Sequence, residues 1–280
     1  MLTRYHRPCI ATLVFLITGG QFASRLAAQD LLRGWTTNQG TDALVLSKVR
    51  EDWPSTTLSL RNTSSKSITA IAASSPPGVD TYHHFYDYLD SGSAGLGPGE
   101  TYNLRISPEE ASLNAHHVLN VDAVIFADGS AEGSRPDIDF MNAMRLGRVL
   151  ETERIRGHLA RTDERFLDVD KLAESIGVLP NSPEDAFASL SDVSLPDLSV
   201  ADFPPNGGAK SLRAFLGGVR NARQEALWKM EELRKLPAKT PAGPDVRTQS
   251  TSLLALKRTY EAKSGVYRGL GRKAFGRVTK

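Results

Sequence analysis

Residues 41–130 alternate short strand-like runs with turn signals, and this pattern constrains the fold more than any other feature of the chain. The clearest piece is residues 117–127, an apolar run of alternating character that leads into the pair Asp128-Gly129. A period of two residues is typical of a strand, because successive side chains point to opposite faces. Asp-Gly is a frequent turn between strands. We therefore predict antiparallel sheet structure over this region.

Six runs have the length and composition of strands, namely residues 43–49, 57–61, 67–73, 81–89, 101–106 and 117–127. Six or seven strands in about 90 residues, with turn signals every 8–12 residues, is the immunoglobulin-like pattern.

Three segments also resemble parts of bacterial exported immunoglobulin-like (fibronectin III-like) domains: residues 60–68, 97–101 and 121–130. The first resembles a hairpin, the second the Pro-Gly-Glu approach to a later strand, and the third a late core strand. The resemblance implies an antiparallel β-sandwich over residues 29–133. It implies no catalytic residue, since the family as a whole has none, and a fold by itself does not give a function.

The first 28 residues have the composition of a signal peptide. A basic start precedes a short apolar run, and Leu26-Ala27-Ala28 is typical of a cleavage point. The run is shorter than the roughly 20 residues of a transmembrane helix. We expect an exported protein, periplasmic or extracellular, without a transmembrane span after cleavage; the alternative is an anchor that is not cleaved.

Cysteine and charge exclude several classes of function. Cys9 is the one cysteine and lies within the predicted signal, so the mature chain would have no disulfide, thiolate nucleophile or cysteine zinc ligand. Residues 29–130 hold 6 basic and 12 acidic residues, whereas residues 131–280 hold 25 basic and 20 acidic residues. This dipolar distribution does not favour nucleic acid as a partner.

The second half of the chain predicts helices, so the fold class is α+β. Residues 134–190 predict a helical region that packs on or follows the sandwich, and residues 191–208 predict a linker rich in Pro and Gly. Residues 209–236 predict a long amphipathic helix. Residues 257–280 hold eight basic residues and one acidic residue. This indicates either a basic arm that touches an anionic membrane surface, a polyanion or the acidic sandwich itself, or a frayed terminus.

Two features predict a binding face. Alternation over residues 81–89 places four amphipathic rings on one face of a strand: Tyr82, His84, Tyr86 and Tyr88. Facing outward, they would suit a glycan or a peptide; the alternative is that they pack inside the protein. Trp228 lies off the apolar stripe of its helix and predicts a second contact, for which packing within the chain is preferred over a partner.

Histidines provide the alternative to a binding function. His83-His84 and His116-His117 are adjacent pairs, and neighbours in a strand cannot hold one ion together. A site would need His84, His116 or His117 to meet Asp87, as in a hydrolase or a metal-dependent enzyme. No nucleotide, phosphate or serine-hydrolase motif is present in the sequence, and no cofactor is implied. The favoured expectation is therefore a non-enzymatic binding or structural module of the cell envelope, whose partner is another envelope protein, a glycan or an anionic surface.

Overall fold

The computed structural model describes residues 35–52, 54–74, 83–91, 93–113, 118–163, 167–195, 198–199, 208–237 and 248–271, together with residue 275. A block of strands is followed by a block of helices, which confirms the α+β class. The predicted signal over residues 1–28 lies outside the described residues.

The strands are β1 (Thr36–Gln39), β2 (Leu44–Asp52), β3 (Ser55–Asn62), β4 (Ile68–Ser74), β5 (His83–Asp87), β6 (Thr101–Ile106), β7 (Val118–Phe126) and β8 (Ala131–Gly133). One sheet has the order β2-β3-β6, and the other has the order β1-β7-β4-β5 with β8 also paired to β7. Leu58 and Leu60 of β3 and Val121 and Val124 of β7 belong to one apolar cluster between the two sheets. The alternation that predicted these strands therefore buries a core between two layers.

The expectation of a purely antiparallel sandwich is wrong at β1, which pairs in parallel with β7. The cause is the short connection at Gly40, where the chain leaves one sheet and enters the other as β2. Gly40 donates a hydrogen bond to the carbonyl of Val121 at 2.8 Å. A Cβ on Gly40 would lie 2.6 Å from the carbonyl oxygen of Asp122, so the close approach requires glycine.

The helices are α1 (Pro108–Leu113), α2 (Arg135–Arg161), α3 (Val169–Ile176), α4 (Pro183–Leu190), α5 (Ala209–Arg234) and α6 (Gln249–Leu270). Helix α2 lies on the outer face of the larger sheet, where Ile138 and Met141 pack against Ala70, Ala72 and Ala123. These alanines explain why β4 is buried on both faces, since small side chains let a helix approach the sheet closely.

Helices α2 and α5 cross at two glycines. A Cβ on Gly147 or Gly218 would overlap the backbone of the facing helix, at the carbonyls of Phe215 and Met144 respectively. The contact continues through Ile155 and Leu159 of α2, which share a cluster with α5. Burial along this crossing makes α2 the centre of the helical region.

Two predicted segments of the second half contain regular secondary structure. The predicted linker over residues 191–208 contains a short antiparallel pair, β9 (Ser194–Leu195) and β10 (Leu198–Ser199). Much of the predicted basic arm is helix α6, which begins with a capping box between Thr248 and Thr251. The apolar face of α6 packs into the helical core through Leu253, Leu256 and Tyr260.

Candidate functional site

The predicted aromatic face of β5 turns toward the core rather than toward solvent. The ring centroid of Tyr86 lies 4.6 Å from that of Tyr88 and 4.9 Å from that of Tyr102. All three rings pack with the cluster between the sheets, and burial raises the pKa of Tyr102 to about 12. The alternation over residues 81–89 is thus real, but these rings stabilise the sandwich. Tyr82 lies outside the described residues.

The outer face of β5 is covered by α2, which explains the direction of the rings. Phe85 makes an edge-to-face contact with Phe140 of α2, with 6.3 Å between ring centroids. His84 is half-buried, and its Nε2 lies 3.6 Å from a carboxylate oxygen of Glu110 on α1. His84 and Tyr86 therefore do not form an outward row.

Asp87 is held by Arg145 and is inaccessible to a ligand. Arg145 donates from Nε to one carboxylate oxygen at 2.7 Å and from Nη2 to the other at 2.8 Å, and neither side chain is exposed. Arg145 also donates to the carbonyl of Thr69 at 3.0 Å. The predicted His/Asp site cannot use Asp87, because both of its oxygens are occupied inside the protein.

No three His, Cys, Asp or Glu side chains lie close enough to hold a metal in the part of the chain that the structure describes. His116 and His117 lie outside that part. The alternative of a hydrolase or a metal-dependent enzyme that uses His116 or His117 therefore stays a prediction.

A second buried ion-pair cluster stabilises the helical region. Glu151 of α2 accepts hydrogen bonds from Arg223 of α5 at 2.8 and 3.1 Å and from Arg154 at 2.7 and 3.0 Å. Arg223 also donates to the carbonyl of Val178 at 2.6 Å, which holds the segment after α3 against α5. A buried carboxylate with two guanidinium partners is well compensated, so this cluster reads as structural.

A third charged cluster joins the sandwich to three helices. Asp90 lies in the 3₁₀ turn Leu89–Ser91 after β5 and pairs with Arg148 of α2 at 3.0 Å and with Lys263 of α6 at 4.0 Å. Lys263 in turn pairs with Glu225 of α5 at 2.9 Å. Burial raises the pKa of Asp90 in spite of the nearby Arg148 and Lys263.

Two tyrosines of α6 border this third cluster. The hydroxyls of Tyr260 and Tyr267 are buried and have no hydrogen-bond partner among the described residues. Burial, with Asp90 nearby, raises the pKa of both phenols. Neutral hydroxyls at this position keep the cluster close to electrically balanced.

The surface groove nearest to this cluster lies between α5 and α6 and has a volume of about 750 Å³. Its apolar lining consists of Leu233, Leu236, Ala255 and Leu256. The α6 wall adds the hydroxyls of Thr251, Ser252 and Thr259, and the α5 wall adds the charged groups of Glu225, Lys229, Glu232 and Lys235. A mixed lining of this size is within the range of binding sites for small molecules and peptide segments.

Trp228 is exposed and contacts Lys229, one of the residues that line the groove. Its relative exposure is 56%, so packing within the described chain does not account for it. The Nζ of Lys229, a residue that lines the groove, lies 4.0 Å from the ring centroid of Trp228. Tryptophan is enriched among the residues that dominate protein interfaces, so its exposure next to a groove makes this surface a candidate contact site.

The sequence analysis singled out Trp228, but it did not indicate that α6 forms the second wall of the groove. The signal was present as a helical period in Leu253, Leu256, Tyr260 and Tyr267. The density of Lys and Arg in the same segment favoured a solvated arm instead. In the structure, acids on other helices bind two of these cations: Lys263 binds Glu225, and Arg268 binds Glu153. Arg156 of α2 also links Glu153 with Glu261 of α6.

Comparisons with models of protein families, with curated proteins and with solved structures found no match for this chain. Among the helices that the structure describes, none is both long enough and apolar enough to cross a membrane.

Proposed function

We propose that this chain is an exported, non-enzymatic binding module whose immunoglobulin-like sandwich and helical bundle support a protein-binding groove between α5 and α6. The observation that carries the proposal is the exposed Trp228, whose ring contacts the groove residue Lys229. Tryptophan is enriched among the residues that dominate binding energy at protein interfaces.

The strand order supports the immunoglobulin-like part of the proposal. The connections β3–β4, β5–β6 and β6–β7 each pass from one sheet to the other, while β2–β3, β4–β5 and β7–β8 are antiparallel neighbours. Crossing connections of this kind belong to Greek-key sandwiches. The parallel pairing of β1 is the departure from the simplest form of that pattern.

An amphipathic helix of a protein partner is the occupant that the groove suits best. Two neighbouring helices with apolar residues between them can accept the apolar face of a third helix. The charged residues on the α5 wall would then border the bound helix, as polar rims border most protein interfaces.

An anionic surface receives less support as the partner. Lys263 and Arg268 of α6 bind Glu225 and Glu153, and Lys257 donates to the carbonyl of Thr162 at 2.7 Å. These cations are engaged within the protein and contribute little to a basic surface. A glycan receives no support from Tyr86 and Tyr88, which lie in the sandwich core.

The test is a comparative pull-down from envelope extracts of the source cells with the tagged full-length chain. Three forms are compared: the wild type, Trp228→Ala, and Lys171→Ala as a control on an exposed residue of α3 whose side chain is 81% accessible. We expect the wild type and the control to recover the same protein and Trp228→Ala to lose it. Equal recovery by all three forms, with Trp228→Ala folded by circular dichroism, would show that the groove is not the binding site.

A further inference from the structure

We propose that the occupant of the α5–α6 groove is the α5 helix of a second copy of this chain, packed antiparallel about a two-fold axis. This inference rests on the proposed function and names its partner. Closed two-fold dimers are the commonest oligomers, and they need a surface that is complementary to itself.

The groove and its neighbouring aromatic residue lie on one continuous surface. Lys229 belongs to both features, since it lines the groove and its Nζ lies 4.0 Å from the Trp228 ring centroid. A two-fold axis beside α5 would place the Trp228 ring of each copy at the groove of the other. One surface thus offers both the projecting group and the recess, as an isologous interface requires.

The charges on this surface of α5 alternate in sign along the helix. Glu225, Lys229, Glu232 and Lys235 all line the groove, in the order negative, positive, negative, positive. If two α5 helices run antiparallel and cross at the level of Met230, Glu225 faces Lys235 of the other copy and Lys229 faces its Glu232. Both kinds of pair occur twice in the dimer because of the symmetry. A register shifted by one turn in one direction would place Glu225 opposite Glu232, which disfavours that alternative.

The opposite wall of the groove leaves room for the incoming ring. Helix α6 lines the groove with Leu256 and with four shorter side chains, those of Thr251, Ser252, Ala255 and Thr259. An unrelated partner helix would need only apolar residues at suitable spacing. The alternation of charge about Met230 is what a second copy in particular would use, and it selects that partner over a different protein.

The experiment measures the mass of the purified full-length protein in solution as a function of concentration, by sedimentation equilibrium. Five samples are compared with the wild type: Lys229→Glu alone, Glu232→Lys alone, an equimolar mixture of these two variants, Trp228→Ala, and the control Lys171→Glu on α3. In Lys229→Glu both facing pairs of positions 229 and 232 are acidic, and in Glu232→Lys both are basic, while the pairs of Glu225 with Lys235 are unchanged. In the mixture every facing pair is again of opposite charge.

We expect the wild type, the control and the mixture to form dimers, and each single variant to dimerise at least about tenfold more weakly. Trp228→Ala is expected to weaken the dimer as well. Each single variant also loses the pair between Lys229 and Glu232 within α5, at 2.9 Å, so that loss cannot explain recovery in the mixture.

A wild type that stays monomeric at all concentrations, or a mixture that dimerises no better than its components, would overturn the second-copy inference. The proposed function would survive that outcome if Trp228→Ala still lost a different protein in the pull-down. A dimer that is indifferent to Trp228→Ala and to both charge variants would place self-association elsewhere and would also count against this inference.

Discussion

Arg145 and Asp87 form a two-pronged ion pair across the boundary between α2 and β5, with contacts of 2.7 and 2.8 Å and no exposed side-chain surface. The pair, together with the hydrogen bond from Arg145 to the carbonyl of Thr69, attaches the helical region to the sheet in a defined orientation. A protein that keeps a buried charge without its partner is much less stable than one that has the intact pair or two apolar side chains in its place.

Replacing Arg145 with Met is therefore expected to lower the free energy of unfolding by about 3–5 kcal/mol, because the Asp87 carboxylate would remain buried without its partner. The double variant Asp87→Leu/Arg145→Met should lose less than Arg145→Met alone. Urea denaturation checks both. The control is Arg135→Met, whose pair with Asp139 is exposed and should be worth under about 1 kcal/mol. A double variant that is less stable than the single one would contradict this account.

Replacing either of two helical glycines with alanine should change the stability of the protein, in opposite directions at the two positions. A Cβ on Gly218 would overlap the carbonyl of Met144 and lie 2.9 Å from the backbone nitrogen of Arg148, whereas a Cβ on Gly265 of α6 would have nothing within 4 Å. Gly218→Ala should destabilise the protein by about 1–3 kcal/mol through overpacking. Gly265→Ala should stabilise it by about 0.5–1 kcal/mol through helix propensity. Thermal unfolding of both variants decides the point, and a tolerated Gly218→Ala would mean that α2 and α5 are farther apart.

Much of the element pattern could be predicted because strand and helix periods are local properties of the sequence. Strand β6 has the predicted ends, and β7 differs by one residue at each end. Strand β1 could not be predicted in this way. It has four residues, and its parallel partner β7 begins about eighty residues later, so no local period identifies the pairing.

Glu153 of α2 gives a prediction for acid stability. Burial alone would raise its pKa, but hydrogen bonds from Arg156, Ser264 and Arg268 outweigh burial and lower it. A lowered folded-state pKa means that the ionised group stabilises the fold above its ordinary value of 4.5 and that this stability is lost as the pH falls through the folded-state value. Glu153→Gln should therefore cost about 1–3 kcal/mol at neutral pH.

The difference between the wild type and Glu153→Gln should shrink steadily between pH 4.5 and more acidic conditions. Urea titrations over a pH series measure it. Glu231→Gln serves as the control, because its pair with Arg234 lies at the surface and should have little effect at any pH. A constant difference across the series would show that the charge of Glu153 is not the cause.

For Asp90 we expect the opposite dependence of stability on pH. Burial raises its pKa, so the folded protein holds the proton more tightly than the unfolded chain, and stability falls as the pH rises from 3.8 through the raised value. Asp90→Asn, which resembles the protonated form, is expected to raise the free energy of unfolding at neutral pH. The gain should vanish below pH 3.8.

The matched control for Asp90→Asn is Asp128→Asn. A hydrogen bond from Lys66 and two from Ser130 lower the pKa of Asp128, so its neutralisation should reduce stability at neutral pH. Chemical denaturation at neutral and at acidic pH compares the two variants. Should Asp90→Asn be the less stable protein at neutral pH, its ion pair with Arg148 would outweigh burial.

The candidate site was less predictable than the fold, because a run of charged residues in a sequence does not show which residues of opposite charge it will contact. Trp228 stood out because it lies off the apolar stripe, and the structure leaves it exposed. Tyr86 and Tyr88 were placed together correctly on one face, but which face meets solvent depends on where α2 lies. The cations of α6 find acids more than thirty residues away, as Lys263 does with Glu225 and Arg268 with Glu153, and only the tertiary fold brings those groups together.

Helix α6 follows all the other described helices in sequence, so its contacts with them can form only after they have been synthesised. Glu153 and Asp90 can pair with Arg268 and Lys263 only after more than a hundred further residues have been synthesised. A nascent chain that has not yet extended past Gln249 lacks the apolar face of Leu253, Leu256 and Tyr260 that closes the helical core. Premature termination anywhere before that helix would release an unfinished core rather than a shortened but working protein.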